Sequence, residues 1–358
     1  MNYFLSGYYG YGNAGDEAVL AAILEAISTK QPGATFTVTS GDPEATTARY
    51  NTEIHRVRAI ARQEPRALAA NIRSCDVFIS GGGSLLQDVT SVRNIVYYTS
   101  LIRFAQLARK PVMVYAQGIG PLARPISQKL ARASVQLARA VTVRDEASKQ
   151  LLQRIGVSRK IEVTADPVWA LKPTEIHDSG NLYAHGIPNS WKTWGASLRP
   201  WHGYEYDITK SSQIADGLQS AAREGPARFR FVPMQAAGDR EVMQNIVQEN
   251  RDALLDTSNL HPREIMALCG RCDVMIGMRL HALIFAAAQS VPCVAVNYDP
   301  KVEALAKIIG APLLQDLSGP ELAKLPAAIA SAKPIDEARL AQLKKAALSN
   351  AEIATSLR

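Results

Sequence analysis

Cysteine is scarce in this chain: there are four in 358 residues, Cys75, Cys269, Cys272 and Cys293. That supports neither a disulfide scaffold nor a zinc site made of cysteine pairs. The stretch CGRC, residues 269–272, has CxxC spacing, but no second pair and no histidine cluster accompanies it. A helix-to-strand turn accounts for it. Long apolar runs are also missing, and none approaches the ~18 residues that a membrane span needs. The opening MNYFLSGYYG has neither a basic n-region nor a long apolar core. No signal peptide is expected there, and the cytoplasm is the expected compartment. The sequence has no cluster of histidines or carboxylates at metal-ligand spacing either, so no metal and no cofactor are expected.

What is present is ordinary globular composition, 47% hydrophobic and 20% charged, in a chain long enough for two domains. The net charge of +7 favours phosphate-bearing partners. Nucleic acid is not among those expected. Residues 121–160 carry nine Lys/Arg against two acids. Their helical part either lies peripherally against the inner membrane surface or is a solvated helix face, the simpler reading.

Short apolar runs alternate with helix-like runs. Strands are expected near Tyr3–Ser6, Thr35–Ser40, Val77–Ser80, Val112–Gln117, Val141–Arg144 and Ile161–Thr164. The stretch Pro167–Ser190 reads as a linker. The pattern restarts with TWGASLR, RFRFVPM, CDVMIG and PCVAVN. Buried strands alternating with helices predict an α/β fold with parallel sheets. The expected architecture is two Rossmann-like doubly wound domains facing each other across a cleft. They would span residues 1–172 and 190–334, with a helix at 335–358 that packs back on the first domain.

Ligands in such sheets lie beyond the carboxyl ends of the strands, so the residues just after each strand are the candidates. The first loop, YYGYGNAGDEAVL, carries Gly10, Gly12 and Gly15 in the GxGxxG spacing of a dinucleotide site, and Asp42 follows the next strand. A pyrophosphate, however, needs the positive end of the helix for itself. Asp16 and Glu17 sit at that end. They are expected to satisfy the free N–H groups and to repel a phosphate. A sugar, whose hydroxyls donate to carboxylates, suits NAGDE better. Asn13, Gly15, Asp16, Gly82 and Gly83 of GGGSLLQD, and Gln117 of QGIGPL are therefore the acceptor-binding candidates. Arg144, Arg279, His281 and Lys301 are cationic groups after strands, suited to a small anion.

The stretches SGYYGYGNAGDEAVL, GGGSLLQD, AQGIGPL, VRDEAS, SLRPW, GMRLHALIFA and NYDPKV together resemble the polysaccharide pyruvyl transferase family, and within it the CsaB branch of bacterial cell-wall biosynthesis. The resemblance runs from about Asn2 to Lys301. It implies a GT-B-like fold, phosphoenolpyruvate as donor, and a sugar diol as acceptor. In the CsaB branch that diol is an N-acetylmannosamine residue on a lipid-linked precursor, and the product is a 4,6-linked pyruvate ketal involved in surface-layer anchoring. The same resemblance matches Arg144, His281 and Lys301 to donor-binding and catalytic positions, with Arg279 beside them. His281 suits a proton donor, and Asp16 or Glu17 an acceptor base. Two other readings use the same architecture: a GT-B glycosyltransferase with a nucleotide-sugar donor, and a non-catalytic sugar- or nucleotide-binding protein.

Overall fold

A computed structural model describes residues 1–89, 91–176, 191–200, 208–223, 227–249, 253–255 and 260–357. Most of the expected linker, residues 177–190, lies outside them, as does Trp201 of SLRPW. The chain divides into two compact units, Met1–Leu171 with Gln342–Arg358, and Lys172–Ala341.

The first unit contains the strands β1 (Asn2–Tyr9), β2 (Thr35–Ser40), β3 (Arg56–Ala61), β4 (Val77–Ser80), β5 (Gly83–Leu86), β6 (Val112–Ile119), β7 (Ala140–Val143) and β8 (Glu162–Val163). They form a parallel sheet in the order β3-β2-β1-β4-β6-β7-β8, with β5 paired to β6. β4 and β6 are buried at every position, as strands covered on both faces must be. Phe4 and Phe78 stack across β1 and β4 with centroids 5.4 Å apart.

The second unit contains β9 (Lys192–Ser197), β10 (Ala227–Phe231), β11 (Ala253–Leu255), β12 (Val274–Gly277), β13 (Cys293–Val296) and β14 (Leu313–Leu314). All the pairs are parallel, in the order β11-β10-β9-β12-β13-β14. Its core includes Trp194, Phe229 and Phe231.

The α/β, doubly wound expectation is met in both units. Each sheet grows outward from its first strand in both directions, so each has a switch point: β1/β4 in the first unit, β9/β12 in the second. Crevices at the carboxyl ends of such strand pairs are where ligands bind in this fold.

Several local expectations are corrected. β3 was not expected, because its sequence RVRAIA alternates buried Val57 and Ile60 with exposed Arg56 and Arg58; it is an edge strand. β5 falls within GGGSLLQD, directly after the glycine turn that ends β4. Pro167–Ala170 is not linker but a 3-10 turn with Pro167, Val168 and Trp169 buried, packed on the helix Ala14–Lys30. The helix Glu337–Ser356 is tied to the first unit: Thr164 Oγ1 donates to Asn350 Oδ1 at 3.0 Å, and Lys30 pairs with Glu352 at 2.7 Å. CGRC closes the helix Pro262–Gly270. Its Cys272 thiol is buried and donates to the Leu268 carbonyl. Burial, followed by the neighbouring Cys272, pushes the Cys293 thiol up to about 12.

Candidate functional site

At the β1/β4 switch point, the loop after β1 turns through Gly10 and Gly12, both with positive φ. Asn13 caps the helix Ala14–Lys30: its Oδ1 accepts from Gly15 N at 3.0 Å and Asp16 N at 3.4 Å. The helix end is thus capped by Asn13, not by the two acids as expected. Glu17 folds back instead. It is 4% exposed, with Oε1 accepting from Gly10 N at 2.7 Å and Oε2 from the Tyr50 hydroxyl at 2.8 Å. Both of its oxygens are committed within the fold, which corrects the expectation that Glu17 serves as an acceptor base.

Asp16 is only half-buried. It lies against the loop after β4, where a Cβ on Gly83 (φ +88°) would sit 2.8 Å from Asp16 Oδ1. Only glycine suits that conformation and that approach. Gly82 is a packing residue: a Cβ there would lie 2.8 Å from Val19 Cγ1 and 3.5 Å from Pro167. Gly15 is buried within the helix. Gln117 is fully buried and braces the β4 loop, donating through Nε2 to Ser80 Oγ at 2.7 Å and to the Gly81 carbonyl at 2.8 Å. Asp42, the acid that completes the dinucleotide fingerprint, caps the next helix by accepting from Ala45 N at 3.0 Å.

Arg144 follows β7. Its side chain is 7% exposed and lies between Asp166 at 3.2 Å, Asp145 at 3.5 Å and Ser84 Oγ at 3.0 Å. A Cβ on Gly118 would lie 2.6 Å from Arg144 Nη2, so that glycine makes room for the guanidinium. Every guanidinium nitrogen has a partner inside the first unit, so the fork is not open to an anion in the way its sequence position suggested.

At the β9/β12 switch point, Arg199 and Arg279 emerge two residues beyond adjacent strands. Arg279 is gripped by Asp239: Nε donates to Oδ2 at 2.9 Å, Nη2 bonds Oδ1, and Nη2 also reaches Gln235 Oε1 at 3.4 Å. Asp239 is fully buried and accepts as well from the backbone of Met234 and Gln235. Arg279 is therefore a held cation, with Asp239 taking up one edge of its fork. His281 is half-buried in the first turn of the helix Leu280–Ala287. After β13, Tyr298 lies under two cations: Arg199 at 4.8 Å and Lys301 at 5.4 Å from its ring centroid. Lys301 Nζ is 3.3 Å from Asp299, the residue that caps the helix Pro300–Ile309.

The family model for polysaccharide pyruvyl transferase matches residues 13–300. That stretch begins after β1, takes in β4, β9 and β12, and ends one residue short of Lys301. The chain belongs to the polysaccharide pyruvyl transferase family. This family member is 21% identical over 369 residues to the amylovoran biosynthesis protein AmsJ of Erwinia amylovora, covering 87% of each chain. Among solved structures it is similar to the UDP-GlcNAc 2-epimerase of Methanocaldococcus jannaschii (TM-score 0.69, 12% identity, 99% of each chain covered). It is also similar to Anabaena HepE, solved with UDP and glucose (TM-score 0.61, 13% identity, 99% of this chain and 95% of that one). These structural similarities establish the fold alone: two Rossmann-like domains of the GT-B type.

For this pyruvyl transferase family member, the structure gathers Asn13, Gly15, Asp16, Gly82, Gly83 and Gln117 about one switch point, and Arg279, His281 and Lys301 about the other. Three neighbours were missed as site residues. Asp239 and Asp166 are distant in sequence from the arginines they hold, and no local signal marks them. Arg199 could have been found, since it follows a strand as Arg279 does.

Proposed function

We propose that this protein transfers pyruvate from phosphoenolpyruvate to a sugar diol as a 4,6-ketal and releases phosphate. The acceptor is an N-acetylmannosamine residue on a lipid-linked cell-wall precursor, as in the CsaB branch. One observation carries the donor half of the reading: Arg199, Arg279, His281 and Lys301 come from the segments after the neighbouring strands β9, β12 and β13, with Arg279 and Lys301 positioned by Asp239 and Asp299, and cations held in this way suit a phosphate and a carboxylate.

His281 gives a proton to the methylene carbon of the donor, which leaves the adjacent carbon oxocarbenium-like. One sugar hydroxyl adds to that carbon and loses its proton. The carbon–oxygen bond to phosphate then breaks, and the second hydroxyl closes the ring and gives its proton to the departing phosphate. Asp16 orients the acceptor hydroxyls and takes the first of these protons. Arg144 sets the geometry of the first unit's loops through Asp166 and Ser84. The similarity to an amylovoran biosynthesis protein supports an acceptor made in polysaccharide synthesis. The basic segment 121–160 is the part proposed to approach a membrane-held acceptor; among the described residues no helix is long and apolar enough to cross a membrane.

The test is donor choice. Purified protein is incubated with a lipid-linked disaccharide and either phosphoenolpyruvate or a UDP-sugar. Acceptor-dependent release of phosphate from phosphoenolpyruvate supports the proposal. Release of UDP would replace it with a glycosyltransferase.

A further inference from the structure

Arg62 stands apart from the residues of both switch points. It follows the edge strand β3 at the carboxyl end of the first unit's sheet and is half-buried. Its guanidinium carbon lies 4.3 Å from the ring centroid of Tyr97, 5.2 Å from Tyr98 and 5.5 Å from Tyr11. Nη1 donates to the Tyr11 hydroxyl at 3.4 Å. Among the described residues it has no carboxylate partner, unlike Arg144 and Arg279. Aromatic faces hold a guanidinium without cancelling its charge. A fork with five N–H donors fixed by neutral neighbours keeps its charge for a ligand.

The surroundings are rich in tyrosine. Tyr8 and Tyr11 stack at 4.4 Å with 15° between their planes. Tyr11 rests on Gly41, where a Cβ would come within 2.5 Å of the ring, so the stack is fixed in place. Tyr98 is 3% exposed, and its hydroxyl has no hydrogen-bond partner among the described residues. It feels both Arg62 and Asp16: burial raises its pKa most, Arg62 opposes this and Asp16 adds to it. Tyr98 is thus within electrostatic reach of both the guanidinium, 5.2 Å from its ring centroid, and the proposed acceptor carboxylate. In the sheet order, β3 is two strands from β1, or about 10 Å at the usual strand spacing. A ligand held by both Asp16 and Arg62 would offer the guanidinium a group separate from the hydroxyls at Asp16.

We propose that Arg62, walled by Tyr11, Tyr97 and Tyr98, is an acceptor subsite that recognises an oxyanion carried by the saccharide beyond the sugar at Asp16. The oxyanion is either the phosphate that links saccharide to lipid or the carboxylate of an acidic sugar, since both fit the same fork. The inference rests on the reading of the first unit as the acceptor side.

The experiment is calorimetric binding in the absence of any donor, so that it does not depend on pyruvyl transfer. Three probes share one N-acetylmannosamine-containing disaccharide: its neutral methyl glycoside, its anomeric phosphate, and the form with a uronate in the reducing position. Wild-type protein is expected to bind one charged probe about tenfold more tightly than the neutral one, and Arg62→Gln to erase that difference while binding the neutral probe unchanged. Preference for the phosphate assigns the lipid linkage as source; preference for the uronate assigns an acidic polymer. Arg62→Lys, which keeps the charge but loses the fork, is expected to lose part of the preference and serves if the glutamine variant melts early. Equal binding of all three probes by wild type overturns the proposal, as does a preference that survives both substitutions. If a charged probe binds through Arg62 but no pyruvate is transferred, the subsite stands and the proposed reaction falls.

Discussion

Glu17→Ala separates structure from chemistry in the NAGDE loop. The Glu17 carboxylate is buried and accepts two hydrogen bonds, from Gly10 N at 2.7 Å and from the Tyr50 hydroxyl at 2.8 Å. Hydrogen bonds to a charged group contribute roughly 1.5–3 kcal/mol each, so the pair contributes roughly 3–6. Removing the carboxylate also relieves the desolvation of a buried charge, which returns part of that. A net loss of about 3 kcal/mol is expected. For a unit of this size each kcal/mol lowers the melting temperature by roughly 2–4 °C, which gives a fall of about 6–12 °C. Tyr50→Phe removes one of the two bonds and should cost about half as much, and the double variant should fall short of the sum because the sites share a contact. Asp16→Asn is the counterpart: it should melt like wild type but raise the Michaelis constant for the acceptor. Thermal melting with donor and acceptor kinetics reads both. A Glu17→Ala protein that melts normally yet is inactive would refute the structural role given to Glu17.

Other expectations follow from the same geometry. Arg144→Ala leaves Asp166 and Asp145 without their cation and should cost about 3–5 kcal/mol, and Arg144→Lys should not restore wild-type melting because an ammonium cannot copy the fork; wild-type melting in either would contradict this. His281→Ala should keep the melting temperature but lower turnover by ~10²–10⁴, and near-normal turnover would remove His281 from the chemistry. Asp88 carries a pH signature: burial pushes its carboxyl up, but the N–H groups of Ala123 at 2.9 Å and Arg124 at 2.8 Å outweigh it and hold the pKa below the ordinary value. A lowered folded pKa stabilises above the unfolded value of about 3.9 and is lost as pH falls through the lower folded one. Asp88→Asn should therefore melt below wild type at neutral pH, with the gap closing below about pH 4; a pH-independent gap would show that the charge is irrelevant.

The parallel sheets were legible because most strands are continuous apolar runs, and the glycine turns mark their ends. The structure corrects in part the reason for setting the dinucleotide fingerprint aside. The two acids do not cap the helix: Asn13 does, and Glu17 turns away to hold the loop and Tyr50. What stayed hidden depends on contacts between distant residues. Nothing near Arg279 announces Asp239, forty positions away, and nothing near Arg144 announces Asp166. β3 escaped because an edge strand with outward arginines lacks the apolar run of its neighbours, and Arg62 escaped with it.

The central claim is that pyruvate leaves phosphoenolpyruvate and becomes a ketal on a sugar. The most direct measurement is mass spectrometry of a lipid-linked, N-acetylmannosamine-containing disaccharide after incubation with phosphoenolpyruvate, using wild-type protein and His281→Ala in parallel. The account predicts the mass gain of one pyruvate ketal with wild type, one phosphate released per ketal, and neither with the variant. An unchanged acceptor with well-folded wild-type protein, or a ketal formed equally by His281→Ala, would contradict it.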